Sequence, residues 1–277
     1  MVVDSSSGVV GTIGGGCVEA DIRKKAFYLI QQKDSALISI DLNNESAAEN
    51  GLICGGSMSV AVMTMHDSSG LPLIQAAINN LISGVSATIP VRVKKGDLLV
   101  EYRWLIEPEP VLLIAGAGHI GQELAHLALK LDFRIVVVDN RADFASVSRF
   151  PHPIDIKVGD IIEELKKQRI DFSTYVVIVT RGHRYDQEAL QVAIGSNAKY
   201  IGMIGSRRKI HLIFKELESS GVSPELLKKV FAPIGLPLNA VTPGEIALSI
   251  AAQLVQIRRE RKTEAIQGPF EVSSHTG

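Results

Sequence analysis

The sequence predicts an α/β protein: a carboxyl-terminal open parallel sheet with helices on both faces, preceded by a smaller α/β module. Three observations predict it. From residue 111 onward, short apolar runs alternate with longer helical ones, as in a parallel sheet covered on both faces. Before residue 107 the pattern is different and includes a hairpin signal. Between them, Glu107-Pro-Glu-Pro110 sets two prolines and two acids between apolar runs and reads as a linker. At about 150 residues per domain, a chain of 277 residues has room for two. The expected division is 1–107, 111–262 and a flexible tail over 263–277.

The elements follow in order. The chain opens directly in apolar, glycine-rich text, as if within a strand. Gly11–Gly16 leads into Val18, Ile22, Phe27, Leu29 and Ile30, close to helical spacing, so a helix is predicted over about 17–32. Ala36–Leu42 reads as a strand, Asn43–Gly51 as a polar loop and Met58–Met65 as a buried strand. Pro72 suits a first helical turn. Ile74, Ile78, Leu81 and Ile82 form that helix's apolar face, and Gly84 is its expected C-cap. Thr88–Val93 and Leu98–Trp104 flank Lys94-Lys95-Gly96-Asp97, a hairpin signal. After the linker come strand Val111–Ala115, a helix to about Leu131, strands Arg134–Val138 and Ile154–Val158, and helix Ile161–Arg169. Strand Tyr175–Thr180, helix Asp186–Ala193, strand Lys199–Ile204, helix Lys209–Leu217 and a last helix after Glu245 complete the alternation.

Composition excludes several functions. Lys plus Arg number 29 against 30 Asp plus Glu, a net charge of −1, so no basic face for nucleic acid or an acidic membrane is implied. Aromatics at 5 % do not furnish a base-stacking platform. The longest apolar runs fall far short of the roughly 18 residues a membrane span needs. The first residues carry neither a basic n-region nor an apolar h-region, so no secretory signal is expected. Cys17 and Cys54 cannot form a disulfide framework, and a reduced, cytoplasmic setting is the default.

Gly116-Ala-Gly118-His119-Ile-Gly121 has G-x-G-x-x-G spacing between a predicted strand and a predicted helix. In that context Gly116 permits a tight turn, Gly118 lets backbone approach a pyrophosphate and Gly121 lets helix pack on strand. Helix N–H groups then face the phosphate. This makes the carboxyl module Rossmann-like. Asp139 ends the second strand at the position of a ribose-binding acid. Arg141 is close enough to meet a 2′-phosphate or to pair with Asp139. Ligands of open parallel sheets sit at the carboxyl ends of strands, where Arg181-Gly-His183-Arg-Tyr-Asp186 and Gly205-Ser206-Arg207-Arg208-Lys209 also fall. The plainer alternative for this basic run is a solvated first turn, but cations are disfavoured at a helix start, which favours an anionic partner for Ser206, Arg207 and Arg208. His183 and Asp186 are site candidates or a local hydrogen-bonded pair. Glu245 is a site candidate, although Thr242-x-x-Glu245 with Pro243 is a capping box sufficient to explain it.

Both cysteines sit beside glycines, in Gly14-Gly15-Gly16-Cys17-Val-Glu19 and Cys54-Gly55-Gly56. Bare glycines let a ligand approach closely, and a helix start favours a thiolate at Cys17. The plainer alternative is two small buried thiols. Structural zinc wants four ligands at short paired spacings; two distant cysteines with His66 do not supply them.

Together, Gly11–Glu19 and Cys54–Gly56 resemble the amino-terminal module of the XdhC/CoxI family. Leu113–Gly121, Asp139–Phe144, Arg149–Pro151, His183–Leu190, Tyr200–Lys209 and Gly235–Ile250 resemble its Rossmann-type carboxyl module. The resemblance spans nearly the full chain. It implies an accessory factor for xanthine dehydrogenase or a related molybdenum hydroxylase. Such a factor binds molybdenum cofactor, supports its sulfuration and inserts it into the apo-enzyme, as a chaperone rather than a turnover enzyme. It implies partnership with the hydroxylase and with a cysteine desulfurase, and a homodimer is expected because an exposed sheet edge wants covering. The family carries a further helix and strand ahead of the position of Met1, so the module is expected to be truncated at its start. The family also often has consecutive acids where this chain has Asp139-Asn140. Molybdenum cofactor joins an anionic phosphate to a polar pterin dithiolene. Glycine loops and Arg207/Arg208 suit the phosphate, and thiolates at Cys17 and Cys54 suit molybdenum or sulfur better than a hard cation. Two rival readings remain: an NAD(P)-dependent oxidoreductase with His183 as acid/base, and a thiol-based sulfur carrier.

Overall fold

The computed structural model describes residues 1–6, 8–41, 57–65, 70–95, 98–260 and 270–271. The chain divides into two compact units, one of residues 1–79, 87–106 and 262–277, the other of residues 80–86 and 107–261.

The first unit opens with β1 (Val2–Val3) and β2 (Val9–Val10), an antiparallel pair. Helix α1 (Gly16–Gln32) follows and buries Ile22, Ala26 and Leu29. Strands β3 (Ala36–Asp41) and β4 (Ser57–Val62) pair antiparallel. Helix α2 spans Leu71–Ile82, and Gly84 follows it with φ 69, as expected of a C-cap. Strands β5 (Ala87–Lys95) and β6 (Leu98–Ile106) form the expected hairpin, in register from Lys95↔Leu98 to Ala87↔Ile106. Along β5, Ala87, Ile89, Val91 and Val93 are buried while Thr88, Arg92 and Lys94 face out, the alternation of a sheet with one packed face. The sheet order is β12-β6-β5-β3-β4, with β12 (Phe270–Glu271) on the β6 edge. Because β3 pairs with β5 only at Ala36↔Lys94, Pro90 has no ladder partner to deprive of a hydrogen bond on that side.

The second unit is a five-stranded parallel sheet, order β11-β10-β7-β8-β9. Its strands are β7 (Val111–Ala115), β8 (Arg134–Asp139), β9 (Asp155–Val158), β10 (Thr174–Ile178) and β11 (Tyr200–Met203). Alternate residues partition between two cores. Leu112, Ile114, Ile135, Val137, Tyr175 and Val177 pack with α3 (His119–Leu129) and α8 (Pro243–Arg259). Leu113, Ala115, Val136, Val138, Val176 and Ile178 pack with α4 (Ile161–Lys167), α5 (His183–Ile194) and α6 (Arg207–Ser219). Near-continuous apolar strands are therefore required, since both faces are dry. Helix α7 (Pro224–Leu227) is short and capped by Ser223. Beyond it Phe231 bridges Gly202 in parallel, so residues 231–234 run alongside β11 and deliver the loop before α8 to the same sheet edge.

Several boundaries differ from expectation. Strand β4 ends at Val62 rather than Met65 and alternates exposed and half-buried residues instead of being buried, because only one of its faces is packed. Three further differences have a local cause. Helix α3 ends at Leu129 because Lys130 and Leu131 donate to carbonyls three residues back, tightening the last turn. Strand β10 ends at Ile178, and Thr180 turns to hydrogen-bond Asp186. Helix α5 starts at His183 rather than Asp186, because Gly182 takes φ 92 and opens the helix earlier.

The glycine turn is shaped by contact. Gly116 has φ 116, and a Cβ there would lie 2.5 Å from the Val179 carbonyl oxygen. At Gly121 a Cβ would lie 2.1 Å from the Gly116 carbonyl oxygen. Gly118 has an ordinary φ of −66, and a Cβ there would meet nothing within 4 Å. Gly121→Ala is therefore expected to cost about 1–3 kcal/mol through overpacking, while Gly118→Ala leaves the melting transition almost unmoved; thermal unfolding of the two variants checks this.

Candidate functional site

In the second unit, the residues after β7, β8, β10 and β11 share the carboxyl edge of one sheet because the strands are parallel. Gly116, Gly118, His119, Gly121, Asp139, His183, Asp186, Ser206, Arg207 and Arg208 follow those strands or end them. Helix α8, with Glu245 in its first turn, starts from the loop that reaches the same edge. Between β7 and β10 the chain order reverses, so α3 and α5 leave neighbouring strands for opposite faces. That is the switch-point crevice where open α/β sheets bind ligands.

The helix starts at this edge differ in kind. Helix α6 is capped by the Ser206 hydroxyl, which accepts from the Lys209 N–H, and α8 by Thr242 in a full capping box. Helices α3 and α5 start at Gly118 and Gly182, with no side-chain cap. Their first N–H groups are left for solvent or an anion, and they flank the switch point. His119 and His183 are the first residues of these two helices. Arg207 and Arg208 are exposed at the start of α6.

Asp139 is turned inward. The residue is 1 % exposed, and its carboxylate accepts from the Ala117 N–H at 2.7 Å, from the Arg141 N–H at 3.0 Å, and from the Arg141 guanidinium at 2.8 and 2.7 Å. Burial raises its pKa, but the Arg141 guanidinium and these N–H donors outweigh burial and hold the carboxyl below its ordinary range. Arg141 also lies 3.8 Å from the Phe144 ring centroid and Arg149 lies 4.7 Å from it. Arg149 donates to Gln122 Oε1 of α3 at 2.7 Å.

Asp186, fully buried, is paired with Lys209 and Thr180 rather than with His183. Burial pushes its pKa up, against those two partners. Tyr185 Oη accepts from Asn140 Nδ2 at 3.3 Å, a hydrogen bond from α5 to the end of β8 that crosses the line of β7. Glu245 is fully occupied as a cap: it accepts from Thr242 N–H at 2.9 Å and Val241 N–H at 2.8 Å, which lower its pKa in that order.

In the first unit, Gly14, Gly15 and Gly16 all have positive φ, and a Cβ on any of them would meet nothing within 4 Å. The Glu19 carboxylate folds back over this loop. It accepts from Thr12 Oγ1, from Ile13 N–H at 3.0 Å and from Gly15 N–H at 3.1 Å, and these bonds, Thr12 foremost, lower its pKa. Cys17 is a free, exposed thiol, so it is not the buried core filler of the plainer alternative. Cys54, Gly55, Gly56 and His66 lie outside the described residues.

Sequence reasoning missed the Lys209–Asp186 pair, the Asn140–Tyr185 bond and the Arg141–Phe144–Arg149 stack. The first two join residues on different elements, while the stack forms within the one loop between β8 and β9, and no periodic pattern announces any of them.

The fold defines a Rossmann-type domain with a smaller α/β module. The chain belongs to the XdhC family: residues 112–254 match the XdhC Rossmann domain, and residues 1–41 match the XdhC and CoxI family. It is 26 % identical to the uncharacterized protein YqeB of Escherichia coli, over 99 % of this chain but only 43 % of that protein. It is likewise 26 % identical to a probable xanthine dehydrogenase subunit of Bacillus subtilis, over 90 % of this chain and 84 % of the relative. Identity to the Escherichia coli molybdenum cofactor insertion chaperone PaoD is 22 %, over 97 % of this chain and 80 % of that protein. Among solved structures, a xanthine dehydrogenase from Bacillus halodurans has the same fold, with TM-score 0.72 and 24 % identity over 94 % of this chain and 86 % of that one. Among the described residues no helix is long and apolar enough to cross a membrane.

Arg141→Ala leaves a buried carboxylate without its guanidinium and is expected to cost about 3 kcal/mol. The Asp139 contribution also has a pH signature. Its folded pKa lies below the unfolded value of about 3.9, so the stabilisation is present above that value and is lost as pH falls toward the folded pKa. Urea unfolding between about pH 6 and about pH 3 should show a steeper acid loss for wild type than for Asp139→Asn.

Proposed function

We propose that this chain is an accessory factor for xanthine dehydrogenase or a related molybdenum hydroxylase. It binds molybdenum cofactor, supports its sulfuration and passes it to the apo-enzyme. The observation that carries the reading is the pair of uncapped, glycine-started helices, α3 and α5, flanking the switch point. They suit the phosphate of the cofactor, with Gly118 leaving space for its approach and Arg207 and Arg208 adding charge on the same edge. Family membership and the names of two relatives support the choice of cofactor and client.

When bound, the cofactor supplies a phosphate anion, a polar pterin and a dithiolene that holds molybdenum. The chain's own part is to hold and orient. The glycine turn presents N–H groups and Asp139 braces that turn through Ala117. The exposed Cys17 thiol, and Cys54 from sequence, are available for sulfur or molybdenum contact. A cysteine desulfurase is the proposed sulfur source, and a homodimer the proposed assembly. An NAD(P) reading is weaker, because both Asp139 oxygens are already engaged and a ribose would have to displace Arg141.

Two outcomes are expected. Gly118→Val, expressed alongside cofactor synthesis, should fold normally but retain at least tenfold less molybdenum per chain by elemental analysis. Retention equal to wild type overturns the phosphate assignment, and saturable NADH fluorescence on a molybdenum-free chain would favour the oxidoreductase. The double substitution Cys17→Ala and Cys54→Ala should cost only about 1 kcal/mol of stability yet impair activation of the client in a reconstituted transfer assay. Full activation by that variant removes the cysteines from the mechanism.

A further inference from the structure

The start of α6 breaks a local rule. Arg207, Arg208 and Lys209 are consecutive cations in its first turn, where the helix dipole disfavours positive charge. Of these, only Lys209 has a carboxylate partner among the described residues, and that partner is Asp186 in the first turn of α5. Asp186 is fully buried, and its other oxygen accepts from the Thr180 hydroxyl. A buried ion pair is seldom more stable than an apolar pair of the same volume. Local rules broken at one place, with no gain in stability, mark functional sites.

The lysine head lies at the carboxyl edge of the sheet. Its stem folds back over Gly205, just past the end of β11: a Cβ on Gly205 would lie 3.2 Å from Lys209 Cδ. From there Nζ reaches across to Asp186. The ammonium is thus within a helical turn of the α5 start, whose first N–H groups no side chain caps. Thr180 connects the pair to the glycine turn, since a Cβ on Gly116 would lie 2.5 Å from the Val179 carbonyl oxygen and 3.0 Å from Thr180 Cα. The glycine turn and the starts of α5 and α6 therefore meet around one polar cluster.

Exposure within the pair is one-sided. The Asp186 side chain has no exposed surface, whereas Lys209 keeps 26 % of its own. A ligand meets this pair only through the lysine. An ammonium has three hydrogens to donate, and Asp186 takes one of them. Arg207 and Arg208 remain uncompensated beside it, so an anion at this edge offsets charge that the chain itself does not.

We infer that Lys209 is a further ligand-contacting residue of this edge: its ammonium meets the anionic group received by the helix starts, and Asp186 is the positioning residue that holds it there. The identity of that group, the cofactor phosphate, rests on the cofactor reading above.

Lys209→Met alone strands a buried carboxylate and destabilises the fold for that reason. The decisive variant combines it with Asp186→Asn, whose amide oxygen can still accept from Thr180. Each chain is expressed alongside cofactor synthesis, its molybdenum is measured by elemental analysis, and its melting transition is measured free of cofactor. The double variant should melt close to wild type yet retain about tenfold less molybdenum per chain, as expected for one lost charge-assisted hydrogen bond. Asp186→Asn alone keeps the ammonium but no longer holds it, and should retain an intermediate amount. A purely structural pair predicts full retention by the double variant, which leaves no buried charge unpaired. That result overturns the inference, and if Gly118→Val loses molybdenum in the same experiment, the cofactor reading stands without Lys209. A wild-type chain that retains no molybdenum overturns both.

Discussion

One buried carboxylate organises the carboxyl edge of the parallel sheet. Asp139 ends β8, yet it reaches sideways to the Ala117 N–H in the turn after β7 and back to the Arg141 guanidinium. A backbone turn that must present N–H groups outward needs its remaining donors satisfied from within. Asp139 does this for the glycine turn. Because the carboxylate is nearly inaccessible to water, its ionised state depends on Arg141, whose planar fork matches both oxygens. Arg141 in turn rests on Phe144, which Arg149 also covers, and Arg149 is tied to Gln122 on α3. The loop after β8 and the helix after β7 are thus linked through one chain of contacts.

That edge exists because the sheet is dry on both sides. With alternate residues of β7, β8 and β10 feeding two separate cores, no polar residue is tolerated mid-strand, and polar chemistry is displaced to the strand ends. At the carboxyl ends, helix starts converge, and two of them begin at glycine with no side-chain cap. At the amino-terminal ends, Tyr175 Oη and Arg258 Nε are buried with no hydrogen-bond partner among the described residues. The same rule of layered burial produces two polar rims with different chemistry.

The glycine residues of the first unit solve another problem. Gly14, Gly15 and Gly16 occupy conformations that side chains rarely adopt, and Glu19 from the following helix fills part of the resulting nest of N–H groups. The exposed Cys17 thiol stands next to this loop in sequence, on the first turn of α1. A carboxylate already placed there shows that the loop is suited to negative charge.

The alternation of apolar runs with helical ones determined the parallel sheet and its helices, because burial on both faces leaves near-continuous hydrophobic strands and each crossover needs a helix. The spacing Gly116, Gly118, Gly121 determined the turn, since steric contact at Gly116 and Gly121 is a local matter of two neighbouring elements. Thr242 and Glu245 announced their own capping box for the same reason. What only the tertiary structure decided were pairings between distant segments. Asp139 stands at a ribose-ligand position in sequence, and its carboxylate is engaged by the Ala117 N–H and the Arg141 guanidinium. Asp186 looks like a partner for His183 and is instead buried against Lys209. Tyr175 and Arg258, far apart in sequence, both pack on the Phe133 ring. Periodicity reports which face a side chain takes, but its hydrogen-bond partner is set by which strands become neighbours, and that depends on the whole sheet.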